Sequence, residues 1–355
     1  MQEEAAAAWA LTGRAARPAL LPPAGIVERV LGLGAPLGID PAPLLAERAS
    51  DAGFTRSGDT TCAGAGRLLC AADGWVAVNL ARDDDIASVA AWLEVDVACR
   101  QPWSVVESVV PSVPVATLVE RAELLGLPVA ALGEVPPPAE PVRAVSLGGA
   151  PVPVLGRPPL VVDLSSLWAG PLCTRLLADR GAQVIKVESA ARPDGARRGP
   201  RAFFERLHAG KEFLSLDLRG RQLRELLARC DVVVEASRPR ALRQLGICVE
   251  EVAPRVWLSI TGYGRASNRV AFGDDAAVAG GLVALDDEGP CFVADAVADP
   301  LTGIASAAAV IAALEQGGRW LLDASMARVA AFVAGDDAGR RWSGGSRCAA
   351  RGSGL

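Results

Sequence analysis

The sequence predicts an α/β protein in which an open parallel sheet domain is joined to a second, smaller α+β domain. Three observations carry that prediction. Four short apolar runs, "LVVDLS" from Leu160, "AQVIKVE" from Ala182, "DVVVEA" from Asp231 and "RVWLSITGYG" from Arg255, are separated by spans suited to parallel crossover units. Ahead of them, "GWVAVNLA" reads as a strand, while "ASVAAWLE" and "ATLVERAELLG" carry apolar residues at helical spacing. Between the two regions, "GEVPPPAEPV" from Gly133 is a stiff, proline-rich linker that marks a boundary.

Taken in order, residues 1–50 form a helical N-terminal segment, with helices predicted over "AGIVERVLGLG" and "APLLAERAS". Residues 51–145 form the small α+β domain, in which Asp73 and Gly74 make the turn before the "GWVAVNLA" strand. Residues 146–335 form the α/β domain. There "LVVDLS" is a buried strand, Pro171 to Asp179 a helix, "AQVIKVE" a strand and "GRQLRELLARC" a helix leading into "DVVVEA". A long alanine-rich helix follows Pro300, and "RWLLDASM" carries one more strand into a helix. Residues 336–355, rich in Gly, Ser and Arg, are expected to be a flexible tail. In an open sheet of this kind, ligands gather beyond the carboxyl ends of the strands.

Composition narrows the function. The chain of 355 residues has a net charge of -5, which offers no broad basic field and argues against a nucleic-acid partner. No leader or membrane-spanning run is expected, because no long apolar stretch lacks charges or small polar breaks. The eight cysteines form no CxxC pair and the single histidine is His208, so neither a metal site nor a disulfide framework is expected. A reducing, cytoplasmic setting follows as the default.

The candidates for chemistry lie in the second half. Of 36 basic residues only Lys186 and Lys211 are lysine. With Arg192, Arg197, Arg198, Arg201, Arg206, Arg238 and Arg240 they suit either a site for phosphates or a solvated charged face. "SSLWAGPL" at 165–172 is a tight strand-to-helix turn whose helix N–H groups welcome an anion, but it follows neither a GxGxxG nor a P-loop pattern. Asp299 precedes Pro300, which suits an N-cap followed by N1, and capping alone would explain it. A carboxylate at a helix start is also held in its ionised form and can be a nucleophile. Asp295 reads as a loop residue, Asp274 and Asp275 as helix caps, and His208 as a packed or surface residue.

The motifs together resemble the family III CoA transferases, which include formyl-CoA transferase, the carnitine CoA-transferases and the alpha-methylacyl-CoA racemases. "VVDLSSLWAGPLCTRLLADRGAQVIKVES" resembles the family's opening signature, and "HAGKEFLSLDLRG", "DVVVEASRPRALRQLG", "SITGYGR" and "ADPLTG" resemble its later blocks in the same order. The resemblance covers 159–335 strongly, and both lysines fall on family lysine positions. It implies a Rossmann-like sheet domain, a small domain placed unusually in front of it, and a homodimer. It also implies that Asp299 attacks an acyl-CoA thioester, giving an acyl–aspartyl anhydride and then an aspartyl-CoA thioester that a carboxylic acid acceptor finally resolves. Ser166, Trp168, Ala169, Lys186, Arg198, Lys211 and Arg238 are the implied CoA contacts, with CoA a substrate and no tightly bound cofactor. Two positions depart from the pattern: Ser166 replaces the family's arginine, and Asp274 stands where the racemases carry histidine. Transfer is therefore expected ahead of racemisation, with a degenerate CoA-binding protein as the further alternative.

Overall fold

The computed structural model describes residues 8–96, 101–149, 156–237, 239–252 and 254–335. The tail expected at 336–355 lies outside the described residues.

The strands in chain order are β1 (Gly66–Cys70), β2 (Trp75–Asn79), β3 (Val129–Ala131), β4 (Arg143–Ser146), β5 (Leu160–Asp163), β6 (Gln183–Glu188), β7 (Glu212–Ser215), β8 (Val232–Glu235), β9 (Val256–Thr261), β10 (Ala284–Asp286), β11 (Gly289–Cys291) and β12 (Trp320–Ser325). Seven of them form one sheet in the order β4-β12-β9-β8-β5-β6-β7. All neighbours are parallel except β4, which runs antiparallel along the β12 edge. Numbered by their own succession, the six parallel strands read 3-2-1-4-5-6, the doubly wound order. The α/β class expected from the sequence holds, and the chain reverses direction between β5 and β8. In this topology the switch point, where ligands of doubly wound sheets gather, lies beyond Asp163 and Glu235.

The central strands read as continuous apolar runs because both faces are covered. Val161, Val232, Val234 and Leu258 share a core with the helices Ala169–Ala178 and Ala298–Gln316. Val162, Val233 and Trp257 pack on the opposite side against Leu223, Leu226 and Leu227 of the helix Arg221–Leu227. The N-terminal helices Ala24–Gly34 and Ala42–Ala52 contribute Ile26, Val30, Leu33 and Leu45 to the first of these cores. They lie on the Ala298–Gln316 helix, whose length and apolarity would also suit a bilayer but are used here for burial inside the protein.

The antiparallel sheet β1-β2-β3 has its own core with the helices Asp83–Leu93, Pro102–Val109 and Val115–Leu125. Buried Trp92 ties two of them together by donating from Nε1 to the Leu118 carbonyl at 2.8 Å. The short helix Gly273–Ala279 packs against β2 and β3 and against the helices Ala298–Gln316 and Met326–Ala334. Its last carbonyls, on Val278 and Ala279, accept the N–H groups of Gly133 and Val135, both at 2.9 Å. The Val278 carbonyl also accepts the Gly281 N–H at 2.9 Å, so both groups at the helix end are satisfied. Cys70 departs from the expectation of unbridged cysteines: it is disulfide-bonded.

Candidate active site

The structure corrects the expected capping role of Asp299. The helix starts at Ala298 with Val297 at the N-cap position, and Asp299 lies in the first turn, its N–H donating to Ala296 O at 2.9 Å. The backbone N–H groups of Ala169 and Gly273 lie by its carboxylate and favour the anion. Both donors open other helices, Ala169–Ala178 and Gly273–Ala279, so two positive helix ends converge on one carboxylate. Gly273 is required for that approach, since a Cβ there would lie 2.3 Å from Asp299 Oδ2. Asp299 remains partly exposed. Burial pushes its carboxyl up to about 6, with Arg48 opposing that rise, Asp295 adding to it and the two N–H groups lowering it.

The turn leading into Asp299 is strained. Ala294 (φ 50°) and Ala296 (φ 44°) both lie in the left-handed region, which non-glycine residues rarely occupy unless their surroundings hold them there. The Ala294 N–H donates to Thr12 Oγ1 at 3.1 Å, and its carbonyl accepts from Cys62 Sγ at 3.4 Å. The Ala296 N–H donates to Asp274 Oδ1 at 2.9 Å. Between them Asp295, expected as an unremarked loop residue, is fully buried and takes both arms of a fork from Arg48, with Nε at 2.8 Å and Nη2 on the other oxygen. Arg48 also lies over the Trp168 ring, 5.1 Å from its centroid. Burial and the neighbouring Asp295 push the carboxyl of Asp274 up to about 7, against the pull of Arg48. Asp275 is the residue that caps its helix, accepting the Phe272 N–H at 3.0 Å.

Lys186 and Lys211 are brought together, but inward. Lys186 sits in register with Asp163 across β5 and β6, and its ammonium lies 3.2 Å from Asp194 Oδ2 and 3.9 Å from Asp163 Oδ1, also donating to the Ser165 carbonyl. Lys211 reaches the same Asp163 at 3.3 Å and donates to Thr174 Oγ1 at 2.7 Å and Pro171 O at 2.8 Å. Both side chains are enclosed. The partners of both ammonium groups in this structure are protein groups. Burial alone would raise Asp163, but the two lysines and the Ser165 and Thr174 hydroxyls hold it well below the usual carboxylate range. Burial lowers Lys211 to about 8, with Asp163 resisting. His208 is also packed inside: burial and both lysines depress it to about 3, so the ring is neutral at ordinary pH.

This buried cluster shapes the turn after β5. Asp194 Oδ1 accepts the N–H of Leu167, a third strained residue (φ 71°), at 2.9 Å. The Ser165 N–H donates to Asp163 at 3.0 Å. The next residues deliver the Trp168 ring, which meets Phe203 edge-on with centroids 5.1 Å apart, and then the Ala169 N–H that holds Asp299. Ser166 and Leu167 are exposed on the turn, while Trp168 and Ala169 are buried. Arg198 is exposed at the end of the nearby loop, beside Arg197, which forks onto Glu188 at 3.0 Å and lies over Phe204 at 4.5 Å. Arg238 lies outside the described residues. Among the expected CoA contacts, then, Ser166 and Arg198 face solvent, the Ala169 N–H lies by Asp299, and Trp168 lies under Arg48.

Sequence reasoning missed Arg48, Thr12, Cys62 and the role of Asp295. The only available signal was one arginine in a helical N-terminal pattern, which nothing local distinguishes from a surface residue.

Succinyl-CoA:glutarate CoA-transferase of Mus musculus is 32% identical over 177 residues, 44% of this chain and 41% of that protein. Succinyl-CoA–D-citramalate CoA-transferase of Chloroflexus aurantiacus is 29% identical over 177 residues, covering 44% of each chain. The chain thus spans less than half the length of these relatives. A solved CAIB/BAIF family protein from Brucella suis aligns at TM-score 0.47 and 28% identity, covering 55% of this chain and 58% of that chain. Residues 159–353, more than half of the chain, match the model of CoA-transferase family III, and the chain belongs to that family.

Proposed function

We propose that the protein transfers CoA from an acyl-CoA to a carboxylic acid, with Asp299 as the nucleophile. The observation that carries the proposal is the carboxylate of Asp299, partly exposed and held by two N–H groups from other helices where capping has no need of it. Attack of an Asp299 oxygen on the thioester carbonyl breaks the C–S bond and leaves an acyl–aspartyl anhydride with CoA thiolate. The thiolate then attacks the aspartyl carbonyl, releasing the donor carboxylate and forming an aspartyl-CoA thioester. The acceptor carboxylate repeats the sequence in reverse and leaves with CoA. No net proton is consumed, and each tetrahedral oxyanion that forms on the aspartyl carbon has the Ala169 and Gly273 N–H groups beside it.

A short dicarboxylic acid is the acceptor class we favour, because the relatives are named for glutarate and D-citramalate, each with two carboxylates. By the family resemblance we further propose a homodimer. The test of the activity is CoA transfer from succinyl-CoA to a panel of mono- and dicarboxylic acids. Transfer by the wild type with loss in Asp299→Asn supports the proposal, and equal transfer by both proteins refutes it.

A second reading has one observation in its favour. Asp274, at the racemase histidine position, is a buried carboxyl raised to about 7 beside Asp299 and suits proton exchange at an acyl α-carbon. Deuterium uptake from solvent into a 2-methylacyl-CoA without CoA transfer would favour it.

A further inference from the structure

We infer that Arg48, from the N-terminal segment outside the family match, is a positioning residue that pins the turn carrying Asp299 and places a positive charge beside it. The inference rests on the reading of Asp299 as the nucleophile.

The segment grips both halves of the Asp299 cradle. On the helix Ala42–Ala52, Glu47 accepts a fork from Arg175 with both contacts at 3.0 Å, and Arg175 belongs to the helix whose first N–H, that of Ala169, lies by Asp299. The adjacent Arg48 forks onto Asp295 on the other side. Thr12 and Cys62 close on the N–H and the carbonyl of Ala294 in the same turn. Three residues, Thr12, Arg48 and Cys62, therefore hold Ala294 and Asp295, the residues that lead into strained Ala296. The Ala296 N–H is held by Asp274, and its carbonyl accepts the Asp299 N–H. A forked guanidinium suits this task because it fixes the orientation of Asp295 as well as neutralising it.

The electrostatic side has a definite sign. The charged groups acting on Asp299 are Arg48, Asp295 and, when ionised, Asp274. Arg48 favours the anion and the two carboxylates oppose it. Removing Arg48 must move the Asp299 midpoint up, and neutralising Asp295 must move it down. A residue that served only to fill space would not produce opposite shifts.

The experiment uses the full chain with Arg48→Met, Arg48→Lys and Asp295→Asn. The midpoint of Asp299 is followed by carbon-13 NMR of the side-chain carboxyls, assigned by the signal lost in Asp299→Asn. In parallel, the pH dependence of adduct formation with succinyl-CoA is measured. The expected result is a midpoint about one unit higher in Arg48→Met, a smaller rise in Arg48→Lys and a fall in Asp295→Asn, with the acid limb of adduct formation moving the same way. If Arg48→Met fails to fold, the opposite signs of Arg48→Lys and Asp295→Asn still decide. Midpoints that stay with the wild type, or that move in the same direction, overturn the inference. Opposite shifts in a protein that forms no adduct with any donor would retain Arg48 as the positioning residue and reject the CoA-transfer reading.

Discussion

The carboxylate of Asp299 occupies the space that a side chain at Gly273 would need: a Cβ built there falls 2.3 Å from Asp299 Oδ2 and equally close to the Ala296 carbonyl. Neither neighbour is a flexible side-chain end that could yield, because Asp299 is held by two N–H groups and Ala296 lies in a strained turn. Gly273→Ala should therefore displace the carboxylate while leaving the sheet intact. We expect CoA transfer to fall by about a hundredfold or more, as a misplacement of about 1 Å can cost that much, with circular dichroism unchanged. Transfer within a factor of a few of wild type would contradict the described cradle.

His208 offers a pH test with a worked sign. Its folded value of about 3 lies below the ordinary 6.5, so the unfolded chain binds a proton between those values that the native chain refuses. The native state therefore loses stability as pH falls through that window. His208→Gln should lose less stability between pH 7 and pH 4.5 than the wild type, by roughly 1 kcal/mol or more. Urea denaturation at the two pH values measures it, and identical losses in both proteins would contradict a buried neutral ring.

Lys211 should act as a structural residue. Lys211→Met removes a partner from buried Asp163 and should cost about 3 kcal/mol or more, because a buried charge is left without its neighbour. CoA affinity, measured on folded protein, should show no salt-dependent component that the variant removes. A variant of wild-type stability with weakened, salt-sensitive CoA binding would restore the expected phosphate role.

The strands β5, β6, β8, β9 and β12 were legible in the sequence because each is a buried apolar run bounded by charge or glycine. The short strands β3, β4 and β7 were not, since each is defined by pairing with a distant or neighbouring strand more than by its own pattern. Asp299 was legible as a candidate, but the following proline suggested a cap two residues later than the true N-cap position, Val297. The inward orientation of Lys186 depends on its register with Asp163, and that register is a property of the assembled sheet. Arg48 lies 247 positions from Asp295, and no local pattern announces a contact across that separation.

Assembly is a separate expectation, carried by the family resemblance alone. Sedimentation of the active full chain should give twice the monomer mass. An active preparation containing only monomer would remove the homodimer and leave the chemistry at Asp299 untouched.

The most direct test of the account is a covalent adduct on Asp299. Wild-type protein incubated with succinyl-CoA, without acceptor, and examined by intact mass should gain a species that hydroxylamine removes. Peptide mapping should place the resulting hydroxamate on Asp299, and Asp299→Asn should form no such species. A hydroxylamine-labile adduct at another residue, or full CoA transfer by homogeneous Asp299→Asn protein, would contradict the account.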